Sequence, residues 1–121
     1  MTRLDDPAPF EAAAIPPAVA LYLHATIDLG DRAGALAAFA DTAAVTDEGE
    51  TYVGTDAIRG WLTTAASEYT YTTTLRGQRS GDDGRWDVFA RLEGDFPGGV
   101  ADLVFRFTVR DGAITELIIA P

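Results

Sequence analysis

The stretch Ala101-Asp102-Leu103-Val104-Phe105-Arg106-Phe107-Thr108-Val109 puts Ala101, Leu103, Phe105, Phe107 and Val109 on one side of an extended chain. Asp102, Val104, Arg106 and Thr108 fall on the other. A period of two marks a strand with one face turned to a core. Asp111-Gly112 follows, a pair that accepts the positive φ of a tight hairpin, so the chain is predicted to fold back along residues 113–119. That last segment is apolar on both faces, with Ile114 and Ile118 opposing Leu117 and Ile119, and predicts cover on both sides.

The same period extends upstream. Trp86, Val88, Ala90 and Leu92 alternate with Asp87, Phe89, Arg91 and Glu93. Before them, Tyr69, Tyr71, Thr73 and Leu75 alternate with Thr70, Thr72, Thr74 and Arg76. Asp82-Asp83-Gly84 and Pro97-Gly98-Gly99 separate the runs as turns. Four long antiparallel strands are predicted, with Gly77, Gly94, Gly98 and Gly99 suited to bends or bulges at the rim.

The first half has the helical period. Pro16 and Pro17 suit an opening turn, where a missing N–H costs nothing. The predicted helix runs to about Leu29, stops at Gly30, and carries the stripe Val19, Tyr22, Leu23, Thr26 and Ile27. His24 and Asp28 lie off its centre, one turn apart. Asp31 is placed to cap a second helix with Leu36, Phe39 and Ala40 inside. Residues 43–46 and 50–53 form a predicted small hairpin. Thr55 is expected to cap a third helix, with Asp56 in its first turn and Ile58, Trp61, Leu62 and Ala65 as its stripe.

Helices followed by antiparallel strands define an α+β order, with three N-terminal helices expected to pack on a curved antiparallel sheet as a cone-shaped barrel. Residues 1–14 are expected to be a flexible arm, and residues 15–121 a single domain. Tyr22, Phe39, Trp61, Trp86, Phe105 and Phe107 then point into the cone, where they either fill it or line a pocket.

Composition narrows the chemistry. Nine basic residues, all Arg, against nineteen acidic ones give a formal charge of -10, which disfavours nucleic acid and anionic membranes as partners. Cys is absent and His occurs once, so disulfides, thiolate chemistry and a His-rich zinc site are excluded. The glycines build no dinucleotide or phosphate loop, and no Gly-x-Ser-x-Gly elbow occurs. No metal or cofactor is expected. Without a secretory-type leader or a long apolar run, a cytoplasmic location is expected.

Three segments carry a resemblance. They are Asp28-Leu29-Gly30-Asp31; the run from Phe39-Ala40-Asp41 through Val45-Thr46-Asp47 with Gly54-Thr55-Asp56-Ala57-Ile58-Arg59; and Gly94-Asp95-Phe96-Pro97-Gly98 with Phe105-Arg106-Phe107 and Asp111-Gly112-Ala113-Ile114. In this order they resemble the NTF2-like superfamily in its SnoaL-like and ketosteroid-isomerase-like branch, over roughly residues 16–119. The resemblance implies a cone-shaped α+β barrel, often dimeric, with a cavity between helices and sheet. In the isomerases of this family a carboxylate abstracts a proton beside a carbonyl, while a phenol and a protonated acid hold the developing enolate oxygen. The base position falls on Asp47, the phenol position on Leu23 with Tyr22 adjacent, and the acid position on Leu103 with Asp102 adjacent. A cyclase-like pocket acid and His would be Asp47 and His24, if His24 turns inward. An epoxide-hydrolase-like Asp–Arg–Asp set would draw on Asp47, Arg106 and Asp102, whose faces do not converge.

The expected function is a cofactor-free isomerase- or cyclase-like enzyme using Asp47 for proton transfer on a small hydrophobic substrate, with Tyr22 and His24 as further catalytic candidates. Trp61, Trp86, Phe39, Leu23, Leu103, Phe105 and Phe107 are the expected ligand contacts. The alternative is a non-catalytic small-molecule-binding or accessory protein. Phe89, Val104, Arg106 and Ile118 make the opposite sheet face more apolar than solvent requires, so a homodimer through that face is expected.

Overall fold

A computed structural model describes residues 7–64 and 70–121. Ala65 and Tyr69, assigned above to the third helix and the first long strand, lie outside the described residues, as do residues 1–6 of the arm.

Helix α1 spans Pro17–Leu23, with Pro17 in its first turn and Ala18, Val19, Tyr22 and Leu23 buried. It continues into a π-helical turn, His24–Asp28. There Leu29 N donates to His24 O at 3.1 Å and Asp31 N to Ala25 O at 2.8 Å. Asp31 caps α2, Arg32–Ala35, by accepting from Gly34 N at 2.9 Å, as expected of its carboxylate. α2 is shorter than predicted. After a 3-10 turn at Leu36–Ala38, Phe39 is already extended at φ -98°, ψ 144°. Phe39 and Ala40 therefore open a strand instead of closing a helix. A helix this short gains little from its own bonds, and pairing with the C-terminal strand takes over at Phe39, opposite Ile114.

Strand β1 covers Phe39–Asp47 and β2 Glu50–Val53. Helix α3 spans Thr55–Thr63 and buries Ile58, Trp61 and Leu62. Thr55 is its first helical residue and not its cap. The cap is Gly54, at φ 88°, a backbone that a threonine would adopt only under strain. Gly54 also donates to Ala43 O at 2.9 Å and accepts from Ile58 N at 3.0 Å, so it joins helix to strand. Asp56 pairs with Arg59 at 2.7 Å in the first turn.

The long strands are β3 (Tyr71–Ser80), β4 (Arg85–Gly94), β5 (Val100–Arg110) and β6 (Ala113–Ala120). The six strands form one curved, unclosed sheet in the order β2-β1-β6-β5-β4-β3. All neighbours are antiparallel except β1 and β6, which run parallel. Bulges interrupt the register at Leu75/Gly77 and at Thr108/Val109, bending the sheet toward the helices. The second bulge alters the expected facing of β6. Thr115 is the extra residue, so Ile114 joins Leu117 and Ile119 in the core while Ile118 is half-buried opposite them.

Val19, Val45, Ile58, Leu62, Phe107, Ile114 and Leu117 meet between helices and sheet, each at most 1% exposed. Full burial of such side chains supplies about 1.5–3 kcal/mol apiece. From the arm, Ala8 exchanges two 2.8 Å backbone bonds with Gln78 at the β3 edge, and Glu11 N donates to Gln78 Oε1 at 2.9 Å. Among the described residues no helix is long and apolar enough to cross a membrane.

Candidate active site

The helices close the concave side of the sheet without filling it. A cavity of about 1220 Å³ remains between them, so the inward-facing aromatic side chains do not fill the cone. Trp61, Leu62, Leu92, Leu103, Phe105 and Ile119 supply apolar wall. Tyr22, Thr26, Arg32, Asp47 and Tyr71 supply polar groups.

Asp47 ends β1. Its backbone lies between Glu50 of β2 and Ile119 of β6, so pairing on both sides fixes the position. The chain then reverses through Glu48 (φ 52°) and Gly49 (φ 79°), the two successive positive φ angles that a two-residue hairpin needs. The carboxylate is oriented from α3: Trp61 Nε1–H donates to Asp47 Oδ2 at 3.0 Å. Trp61 itself is 2% exposed and lies against Tyr52, ring centroids 6.4 Å apart.

Tyr22 approaches from α1. Its ring makes edge contacts with Phe39 at 5.7 Å and Phe107 at 5.6 Å, which hold the phenol in one orientation. Burial raises the phenol well above its ordinary value, Tyr71 and Asp47 add to the rise, and Arg32 opposes it. The hydroxyl thus keeps its proton at any physiological pH and stays a donor. The π turn bends the chain just after it. Thr26 Oγ1 donates to Tyr22 O at 2.8 Å, and Thr26 and Ile27 reach the cavity wall. π turns of this kind are frequent at functional sites.

The sequence-predicted residues divide cleanly. Asp47, Tyr22, Trp61, Leu103 and Phe105 meet on the cavity wall. Leu23, at the position implied for the phenol, is buried in the core, and its neighbour Tyr22 faces the cavity instead. One residue on a helix is a rotation of about 100°, and the α1 stripe decides which side chain turns inward. Phe39 and Phe107 do not line the cavity; they brace Tyr22 from behind. Trp86 is likewise absent from the wall and packs half-buried against the core, opposite Phe107 in the register.

His24 turns outward. Its Nδ1 is 2.8 Å from Asp28 Oδ2, and both side chains are about 60% exposed. Two residues beyond Tyr22 is about 200° around the helix, so the two cannot share a wall. Asp102 also leaves the site: it accepts from Arg91 Nε at 2.8 Å and Nη2 at 2.9 Å on the outer face. The Arg91 guanidinium holds its carboxyl below the ordinary range. Arg106 shares that outer face, so no Asp–Arg–Asp set forms around Asp47.

Several cavity residues had no functional reading in the sequence. Arg32 was masked by the capping signal of Asp31 beside it. Tyr71 belonged to one side of the alternation over residues 69–76, with no facing assigned, and Phe96 to a segment that carried only a fold resemblance. Tyr71 and Phe96 meet edge-on at 6.5 Å across the cavity rim. Among the described residues no group of three or more His, Cys, Asp or Glu is placed to hold a metal ion.

No protein-family model matches the chain, and no curated protein matches it. Solved structures do. A Sinorhizobium meliloti protein assigned by name as a polyketide cyclase is 31% identical, with a TM-score of 0.83 over 92% of this chain and 100% of that one. A Δ5-3-ketosteroid isomerase from Mycobacterium sp. is 24% identical, with a TM-score of 0.68 over 88% and 94%. A Mycobacterium tuberculosis protein solved with estradiol-17β-hemisuccinate is 20% identical, with a TM-score of 0.68 over 86% and 90%. The chain shares a family with the Sinorhizobium meliloti protein, and its fold is the NTF2-like, ketosteroid-isomerase-like cone.

Proposed function

We propose that this protein catalyses proton transfer at carbon on a small hydrophobic carbonyl compound, without a cofactor. Asp47 is the base. Trp61 engages Oδ2, which leaves Oδ1 to take a proton from the carbon beside the carbonyl. The electron pair moves onto the carbonyl oxygen, and Tyr22 donates a hydrogen bond to the enolate that forms. Where a double bond flanks that carbon the product is a dienolate, and reprotonation at its far carbon gives an isomerase; attack of the enolate carbon on a second carbonyl gives a cyclase.

The observation that supports this reading is the convergence of a β1 carboxylate and a buried, protonated α1 phenol on one largely apolar cavity. A hydrogen-bond donor is worth most where water is excluded. The likeness to a cyclase and to an isomerase favours the same class. Leu103 stands where the isomerases of this family place a second acidic donor, so the substrate would be one whose enolate needs less stabilisation than a simple ketone.

The test is hydrogen–deuterium exchange at the α-carbon of an acidic cyclic ketone such as 2-tetralone, followed by NMR in D2O. Wild-type protein accelerates exchange over buffer and Asp47→Asn does not, with the same melting temperature. Exchange that persists undiminished in Asp47→Asn would overturn the reading in favour of a binding or accessory role.

The proposal extends to a second copy of the chain on the outer sheet face. Phe89, Val104 and Ile118 are half-buried there, and among the described residues the buried Nε of Arg106 has no hydrogen-bond partner, which supports an additional surface against this face.

A further inference from the structure

The cavity has a charge arrangement that proton transfer alone does not require. Asp47 and the exposed Glu48 line it, and the chain carries a formal charge of -10. An anion entering this space meets repulsion from its surroundings. Among the described residues, one cation lines the cavity, Arg32. It directly follows the capping residue Asp31, in the first helical position of α2, so the cap fixes its backbone. It is half-buried. Arg32 and Tyr22 line the same cavity.

We propose that Arg32 selects substrates bearing an ionised carboxylate, holding it so that the apolar remainder lies along Leu62, Leu92, Leu103 and Phe105. A guanidinium offers five N–H donors in a planar fork matched to two carboxylate oxygens. It can therefore hold a ligand carboxylate and a protein partner together. In a partly dry cavity such charge-assisted bonds are stronger than neutral ones. A neutral compound of the same shape loses them and keeps only the apolar contact. The orientation that follows, with the reactive carbon turned to Asp47, rests on the proton-transfer reading; recognition of the carboxylate does not.

The experiment compares 2-naphthoate with 2-naphthamide, equal in ring system and differing in charge. Binding is read from the indole N–H signal of Trp61, assigned with Trp86→Phe, in 15N-labelled protein. Wild type binds the acid at least about tenfold more tightly than the amide, the ratio of one charge-assisted pair. Arg32→Gln removes the preference and leaves amide affinity within about twofold, while Arg32→Lys keeps part of it. Asp47→Asn keeps the preference, so failure of proton transfer and failure of carboxylate recognition are read separately. Equal affinity for acid and amide in wild type overturns the proposal without any variant. So does a preference that survives in Arg32→Gln, or a Trp61 signal that neither compound shifts.

Discussion

Trp61 Nε1 lies 3.0 Å from Asp47 Oδ2, so the helix that closes the cone also orients a carboxylate that lines its cavity. The two residues are fourteen positions apart in sequence, one at the end of a strand and one in the last turn of a helix. The bond ties the packing of α3 to the geometry of the site.

Two substitutions at Trp61 separate packing from aim. Trp61→Phe keeps most of the buried ring and removes the N–H; the expected loss is about 1–2 kcal/mol, the scale of a partly buried bond to a carboxylate. Trp61→Ala also empties the volume of an indole that is 2% exposed, and about 3–5 kcal/mol is expected. Urea melts measure both. Equal midpoints for the two variants would show that the ring's packing contributes nothing.

Tyr22 gives stability a high-pH signature. Its folded phenol titrates above the ordinary value of 10.0 because it is buried. Above that value the unfolded chain releases the proton while the folded chain retains it, so stability is fully present below pH 10 and falls as pH rises beyond it. Chemical melts of wild type and Tyr22→Phe from pH 8 to 11 should diverge in slope only above about pH 10. Parallel curves throughout would mean that the phenol is not buried as described.

The same variant tests chemistry. Loss of one enolate donor in a water-poor site slows the reaction by roughly 10²–10³-fold. Tyr22→Phe should lower α-carbon exchange by that order with Asp47 in place. An unchanged rate would assign the donor role elsewhere.

On the outer face Asp87 is 0% exposed and accepts from Arg79 Nε at 2.8 Å and Arg85 Nε at 3.0 Å. Arg79 also stands over the Phe89 ring at 5.3 Å. Both arginines keep partial access to solvent, so their charges are not stranded by loss of the acid. Asp87→Ala should cost about 1–3 kcal/mol, below the range for a fully enclosed pair. A midpoint in urea within error of wild type would contradict the network.

The proposed second copy on that face would double the mass. Sedimentation at micromolar concentration should give about 26 kDa, against 12.9 kDa for one chain. Arg106→Glu should shift the boundary to the monomer, since it reverses the charge of a side chain on that face. A wild-type monomer removes the interface.

The strands and two of the three helices were legible because their signals are local. Alternation in residues 101–109, Asp111-Gly112, Asp31 before Gly34, and Pro17 at a first turn each depend on neighbours within a few positions. Where Phe39 leaves the helix was not legible, because its strand is completed by Ile114 across the domain. The facing of Ile114 turned on a bulge at Thr115, whose cause lies in the pairing with β5.

The site divides on the same line. The chain alone determined that a carboxylate ends β1, that aromatic side chains face inward, and that thiolate and His-rich metal chemistry are absent, since composition and period need no third dimension. Tertiary structure decided which of those residues share a space. It turned Tyr22 in and His24 out across about 200° of helix, withdrew Phe107 and Trp86 into packing, and brought Arg32 into the cavity. Distances between side chains on different elements are set by how sheet curvature and helix seating add up over the whole domain, and no short segment encodes that sum.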